Sequence, residues 1–365
     1  MPEITAQLAS ISFPNQPAMP WGEILGSHQY VSRNQAMTIP AVARSVGIIA
    51  GTIGTLPLHT YDANGIEIPN RVLIDQPDPA VPRANTITWL VDDLIFHGVG
   101  YMQVIDVSPA DGRAYRARRI DPARVTYNLS ADGSMITGYQ VNGKPVPTSG
   151  LNSLIVFTAL QDGVLLRGGR TIQTAIALEQ AALNMADNPM PQIILNNQGM
   201  NLDQDSKNDL LSTFRRFRKE SPIAYTEGDI KADVVGFDSN QMQLVEARQY
   251  SAGSEIARLM GLPAWYLNAE SASATYSNVG AERRSLVDFG LRPYLTIIEQ
   301  VLSSDAVTPR GQYVRFDLDD FLRGNPEDRV DVIIKLHQAG IITTDEAREM
   351  EDLAPSAPVT ETVGI

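Results

Sequence analysis

Cysteine is absent from all 365 residues. That excludes a disulfide-stapled scaffold, a thiolate metal site and a cysteine nucleophile together. Charge is also scarce, at 19% of residues, below the roughly 25% of an ordinary soluble domain. The scarcer sign is positive: 29 Lys and Arg stand against 42 Asp and Glu, a formal net charge of −13. Proteins that grip nucleic acid by neutralising phosphates carry the opposite balance. An acidic chain with few charges can hide much of its surface against copies of itself, a first hint of assembly. The longest uncharged apolar stretch, Ser45–Leu58, is too short to span a bilayer and holds Gly47, Gly51 and Gly54. That spacing is expected to serve close helix packing, so no membrane partner is expected. Met1–Pro20 lacks a basic leader region and carries Pro2, Pro14, Pro17 and Pro20. It reads as a flexible arm rather than a targeting segment, and the chain as soluble, in a compartment that is reducing or indifferent to redox state.

Catalytic signatures are missing too. His28, His59, His97 and His337 show no metal-ligand spacing, and neither a G-x-x-x-x-G-K-[ST] cradle nor a G-x-S-x-G elbow occurs. Gly163 and Gly168-Gly169, around Arg167 and Arg170, precede a helical stretch. They admit an anion site at a helix N-terminus or, more plainly, a flexible lead into that helix. Asp317, Asp319 and Asp320 end a strand-like run. They could hold a hard cation for metal-dependent nucleic-acid hydrolysis, or simply be solvated beside Arg323. Two basic clusters remain. Arg113, Arg116, Arg118 and Arg119 are expected to pair with acids along a strand. Arg215, Arg216, Arg218 and Lys219 close a helix, where they complement its dipole or offer a docking surface to an acidic partner or DNA phosphate.

What is present is a 43% hydrophobic chain with an α+β pattern. Pro40 opens a helix in which Val42, Val46, Ile49 and Ile53 share a face. Leu56–Tyr61 and Gly65–Ile68 flank a turn signal at Asp62–Gly65, and Ile87, Leu90, Leu94 and Ile95 mark a second helix. Strand-like runs follow at Tyr101–Val107, Arg113–Ile120, Arg124–Leu129, Met135–Val141 and Leu154–Thr158, separated by tight glycine turns. Strands joined this closely must be largely antiparallel.

The middle of the chain predicts two long rods. Thr171–Asp187 carries only Glu179 and Asp187 as charges and is apolar around its circumference; Ile172, Ile176 and Met185 belong to it. Gln241–Met260 steps through Met242, Val245, Gln249, Ala252, Ile256 and Leu259 in a heptad-like seam. The rods, of roughly 25 and 30 Å, expect neighbours on several sides, including outside the monomer. Between them lies a small α/β insert, with strand candidates Ile193–Leu195, Ile223–Tyr225 and Ile230–Phe237 and a helix capped by Asp203 or Asp205. Leu262–Asn278 reads as a polar loop, Val279–Ser303 as a helix bent or restarted at Pro293, and Tyr313–Leu318 as a strand. Helices near Pro326–Ala339 and Thr344–Glu351 precede a frayed end.

This order of parts resembles the portal proteins of tailed bacteriophages, the large family typical of long-tailed phages, from about Ala36 to Leu353. The residues that carry the resemblance are Leu56–Tyr61, Asp75-Gln76-Pro77-Asp78-Pro79, Gly98-Val99-Gly100-Tyr101 and Ile120–Val125. Ile256–Pro263, Thr275–Asn278, Leu291-Arg292-Pro293 and Gly340–Arg348 complete it. Val99 and Gly100 depart from the family's usual Gly-Asn-Ala-Tyr. The resemblance implies a portal-type subunit: a flexible arm at 1–35, a wing at 36–170, stem helices at 171–187 and 241–261, and a clip at 188–240. It further implies a tunnel loop at 262–278, a tunnel helix at 279–303, a wing return strand at 304–325, crown helices at 326–353 and a disordered tail at 354–365. Stem packing would fall to Ile172, Ile176, Met185, Val245, Ala252 and Ile256. DNA would be faced by Asn268, Glu270, Ser271, Ser273 and Thr275, and docking done by Arg215, Arg216, Arg218 and Lys219. The implied partners are sister subunits in a twelvefold ring, major capsid and scaffolding proteins, the terminase large subunit, a head–tail connector and double-stranded DNA, with no cofactor and no catalysis. A gene transfer particle or prophage remnant would use the same subunit.

Overall fold

The computed structural model of the chain describes residues 31–187, 192–197, 203–209, 211–212, 230–235, 247, 250–267, 283–318, 321, 326–350 and 353. Contacts divide the chain into two units, 1–173 with 252–365, and 174–251.

The first unit opens with α1 (Arg33–Met37), a short helix the periodicity does not announce. A reciprocal capping box starts it: the Ser32 hydroxyl accepts from the Gln35 N–H while the Gln35 side chain accepts from the Ser32 N–H. Helix α2 (Pro40–Thr55) has its proline in the first turn, and Val42, Val46, Ile49 and Ile53 are all buried. Strands β1 (Leu58–Tyr61) and β2 (Glu67–Ile68) follow, then α3 (Val72–Asp75). The β1–β2 turn forms as expected, Asp62 accepting from the Asn64 and Ile66 N–H groups while Gly65 takes φ +82°. Strand β1 starts two residues later than its apolar run, because Leu56 is still the C-cap of α2.

Helix α4 (Arg83–His97) packs on α2 and buries Ile87, Leu90, Leu94 and Ile95. Of the three glycines expected at a helix–helix contact, only Gly54 serves one among the described residues. A Cβ there would meet Thr88 and the Ala84 carbonyl of α4, whereas a Cβ at Gly47 or Gly51 would meet no described neighbour outside the helix within 4 Å. Next come β3 (Val99–Val107), β4 (Ala114–Ile120), β5 (Val125–Leu129), β6 (Ile136–Val141), β7 (Lys144–Pro145) and β8 (Leu154–Thr158). They form two three-stranded sheets, β4-β3-β8 and β5-β6-β7, and every pairing is antiparallel. Tyr101, Ile120 and Val141 make a small core with Val99, Val125 and Tyr139. Gly100 lets the Leu90 side chain of α4 lie directly on β3, since a Cβ would sit 2.6 Å from its Cδ1.

Helix α5 (Val164–Arg167) leads into α6 (Gly169–Asp187), within which the chain passes into the second unit. That unit contains an antiparallel pair of β9 (Gln192–Asn197) and β10 (Ile230–Val235), and residues 204–209 are helical behind Asp203, whose carboxyl is held below its usual range by hydrogen bonds from Ser206. The strand candidate Ile223–Tyr225 lies outside the described residues.

Back in the first unit come α7 (Ile256–Met260), α8 (Arg292–Leu302), β11 (Tyr313–Phe316), α9 (Pro326–Gln338) and α10 (Thr344–Glu349). Strand β11 pairs with β1 across some 250 residues of sequence, Tyr61 stacking on Tyr313 at 5.4 Å. No described helix is long and apolar enough to cross a membrane. A capping box of Thr343 and Glu346 starts α10. Thr343→Ala is expected to lower the stability of that helix by about 1 kcal/mol, read as faster amide exchange over residues 344–349.

Candidate functional site

The segment singled out as facing DNA, with Asn268, Glu270, Ser271, Ser273 and Thr275, lies outside the described residues, as do Arg215, Arg216, Arg218 and Lys219. What the structure describes is how the chain leading into 268–282, and the chain leading out of it, are held.

The incoming side is a π-helical turn, Ser251–Glu255, continued by α7. The seam predicted as one uniform helix over Gln241–Met260 is thus interrupted: a π turn takes in an extra residue, so the spacing from Ala252 to Ile256 and Leu259 is not that of a continuous α-helix. Ile256, Ala257 and Met260 are buried, and α7 packs on α2. Gly261 then caps α7 in the left-handed region at φ +70°, its N–H and that of Leu262 returning to carbonyls of the last turn. Pro263 starts a single 3₁₀ turn, Ala264–Tyr266. The Arg44 Nε on α2 donates to the Tyr266 carbonyl at 2.6 Å, fixing the point where the chain departs.

The outgoing side is a second π-helical turn, Leu286–Leu291, running directly into α8. Pro293 stands just after the π turn, and Leu291 and Arg292 before it are both right-handed helical, so the chain stays helical through the proline. The two sides meet: a Cβ on Gly290 would lie 3.1 Å from the Leu262 side chain, and one on Gly261 would lie 3.4 Å from the Phe289 carbonyl. Both ends of 268–282 are therefore anchored to each other and to α2. Charge on these anchors is locally matched, Arg258 to Glu255 at 2.7 Å and Arg292 to Asp288 at 2.8 Å. Burial raises the Glu299 carboxyl above its usual range, although it accepts from the Phe316 N–H at 2.9 Å.

The residues assigned to stem packing fall into distinct situations. Ile172 and Ile256 are fully buried within the single chain, so a neighbouring copy is not needed to cover them. Ile176 is half-buried, and Leu183, further along α6, is 57% exposed. Met185 and Ala252 lie within helical segments whose side chains there are not described, and Val245 lies outside the described residues.

Two of the three glycines around Arg167 are close-packing positions, while a Cβ at Gly169 would meet nothing within 4 Å among the described residues. Gly163 is wedged against the backbone at the end of α4, where an added Cβ would stand 2.2 Å from the Phe96 carbonyl, and an added Cβ at Gly168 would stand 2.3 Å from the Leu259 side chain. Among the described residues no three Asp, Glu or His side chains converge to hold a metal. Asp319 and Asp320 lie outside those residues; the N–H of Asp317 is tied to the Pro57 carbonyl. In the strand cluster, Arg118 binds Asp78, Arg119 binds Asp93 and Arg113 binds Asp111. Arg116 stacks over Tyr115 and its Nε is buried without a partner.

One charged cluster escapes the sequence pattern. Asp92 and Asp93 are buried side by side on α4, met by Arg33 of α1 at 2.7 Å and by Arg119 of β4 at 2.7 Å. Burial pushes the Asp93 carboxyl up to about 6 against the pull of Arg119, and pushes the His97 imidazole below its usual range. Adjacent acids inside an otherwise apolar helical stretch were the available signal.

The sequence pattern of the phage portal protein family matches residues 40–352. The chain belongs to that family. A probable portal protein of Streptomyces phage phiC31 is 25% identical over 92% of this chain and 79% of its own length. Among solved structures, an HK97-family phage portal protein from Corynebacterium diphtheriae superposes with a TM-score of 0.64 at 22% identity, covering 80% of this chain and 97% of the other. A chain in the neck of a native gene transfer agent particle, solved with C12 symmetry, gives 0.59 at 19% identity over 92% and 98%. The portal motifs are pieces of fold with identifiable duties. Asp78 holds Arg118, Asp121 caps the turn at Pro122–Arg124 by accepting from the Ala123 N–H, and Gly261-Leu262-Pro263 ends the helix that feeds the candidate DNA-facing segment.

Proposed function

We propose that this portal subunit assembles with copies of itself into a ring, twelvefold in the working arrangement, at one vertex of a capsid, and that double-stranded DNA is packaged and later ejected through its centre. Family membership over 40–352 carries the reading. The fold's likeness to a chain of a C12-symmetric neck supports the ring. In this arrangement 36–170 forms the wing, α6 and residues 241–261 the stem, 188–240 the clip, 262–278 the tunnel loop and 326–353 the crown.

The composition suits such a conduit. Twelve copies of a chain with net charge −13 make a strongly acidic ring, and an acidic lining repels the DNA backbone so that the duplex does not stick. Residues 262–278 contain no lysine or arginine, and Glu270 is their one charged residue. Such a loop makes weak contacts independent of base sequence. Its ends are braced on α2, so a loop that meets the passing duplex transmits load into the wing and not into an unsupported helix end. The sequence has no nucleotide cradle, which fits a separate terminase as the source of energy. The clip's Arg215, Arg216, Arg218 and Lys219 dock that terminase first and a head–tail connector afterwards. The same chemistry serves a gene transfer particle or a prophage remnant.

The test reverses the clip's charge in the complete chain. Arg215→Glu, Arg216→Glu and Arg218→Glu together are expected to leave ring assembly intact and abolish terminase binding, giving capsids without DNA. Unchanged binding to terminase and connector removes the docking assignment. Filled capsids from cells lacking this chain remove the conduit.

A further inference from the structure

A cavity of about 190 Å³ opens between the loop after β8 and the π turn before α8. Leu160, Phe289, Met260 and Tyr294 provide its apolar lining, with Arg167 at its side. Its rim is unusually greasy for a free surface: Phe289 is 72% exposed, Leu160 54%, and neighbouring Leu166 48%. Each large side chain left in water forgoes about 1.5–3 kcal/mol of burial. Arg167 donates to the Gln161 side chain, and among the described residues no carboxylate forms an ion pair with it.

The chain itself holds a segment of matching chemistry. Residues 1–30 contain Glu3 and Glu23 but no lysine or arginine, and their largest apolar cluster, Trp21, Ile24 and Leu25, surrounds Glu23. The described chain begins against α4, the helix whose Leu94 lines the cavity. Arg33 is fixed to Asp92 and lies 5.5 Å over the Phe96 ring, and the Phe96 carbonyl is the backbone against which Gly163, next to the cavity-lining Asp162, is wedged. Five residues lie between Leu25 and Val31, six steps of chain with a reach of up to about 20 Å. A tether that short holds the segment at a millimolar effective concentration, favouring it over a segment from another molecule.

We propose that Trp21–Leu25 of this chain's own N-terminal segment docks in the cavity between Leu160 and Phe289, with Glu23 paired to Arg167. The docking is independent of the portal reading. It ties the arm to the first unit, and covers an apolar rim that would otherwise invite non-specific association.

The absence of cysteine makes the test clean. In the full chain, Leu25→Cys is combined with Leu160→Cys and the protein mildly oxidised; the reference pair is Leu25→Cys with Leu129→Cys, which is 46% exposed on the β5–β6 hairpin. Mixing ¹⁴N- and ¹⁵N-labelled protein before oxidation separates links within a chain from links between chains. The expected result is a 25–160 link at least about tenfold more abundant than 25–129, formed within one chain. Equal yields overturn the docking, and isotopically mixed links assign the cavity to a second copy and overturn the intrachain claim. Phe289→Cys in place of Leu160→Cys repeats the measurement should the first variant misfold. Arg167→Glu is expected to reduce the link several-fold and Glu23→Arg added to it to restore the yield; failure to restore overturns the ion pair.

Discussion

Gly163→Ala is expected to destabilise the protein by about 3 kcal/mol or more. A Cβ at 163 would stand 2.2 Å from the Phe96 carbonyl, 2.5 Å from the His97 carbonyl carbon and 2.7 Å from the Gly98 nitrogen. All three are backbone, so no rotamer change relieves the clash. The opposing residue is equally constrained: Gly98 is the left-handed C-cap of α4 at φ +72°, and its own Cβ would meet the Gly163 nitrogen at 2.7 Å. The two glycines let the loop after β8 cross the end of α4 in backbone contact, which sets where α5 and α6 begin. Gly47→Ala and Gly51→Ala lie at the other extreme. With no described neighbour outside the helix within 4 Å of a Cβ at either, each is expected to raise stability by about 1 kcal/mol through helix propensity. Chemical denaturation of the three variants checks the order; a tolerated Gly163→Ala would contradict the packing described for this crossing.

Arg119→Met should cost about 3–5 kcal/mol at neutral pH, because it leaves the Asp93 carboxylate, 1% exposed, without its guanidinium. The pH dependence gives the cause away. In the native protein burial already raises Asp93 to about 6, above the ordinary 3.8, so the folded state holds an extra proton between those values. Stability from this group is therefore greatest below about 4, declines as pH rises through about 6, and is level above. Without Arg119 the folded value moves higher still, so the decline extends further towards alkaline pH and the variant loses more stability from pH 5 to pH 8 than the native chain does. Asp93→Asn added to Arg119→Met should flatten that difference. Urea midpoints at pH 5 and pH 8 read it directly, and a penalty independent of pH would show that the lost interaction is packing.

Elements governed by local rules were legible in the sequence. The stripe Val42, Val46, Ile49 and Ile53 is the buried face of α2, and Asp62–Gly65 forms its turn, because helix period and turn chemistry depend on near neighbours. The order of portal motifs was legible as well, and the family match spans it. What escaped depends on distant partners. Gly163 and Gly168 read as flexibility because glycine serves both looseness and close approach, and only tertiary contact tells which. The π turns at Ser251–Glu255 and Leu286–Leu291 have no sequence period of their own. Ile172 and Ile256 read as surfaces awaiting a sister subunit, since an apolar pattern states that a side chain will be covered but not by which chain. Asp92 and Asp93 read as ordinary polar positions until Arg33 and Arg119 converge on them.

The central claim is that this chain works as one segment of a ring. Electron microscopy of the purified full-length protein, alone and co-assembled with capsid protein, tests it most directly. The account predicts annular particles with a central opening wide enough for a DNA duplex; a population of solid, single-subunit particles under both conditions would contradict it.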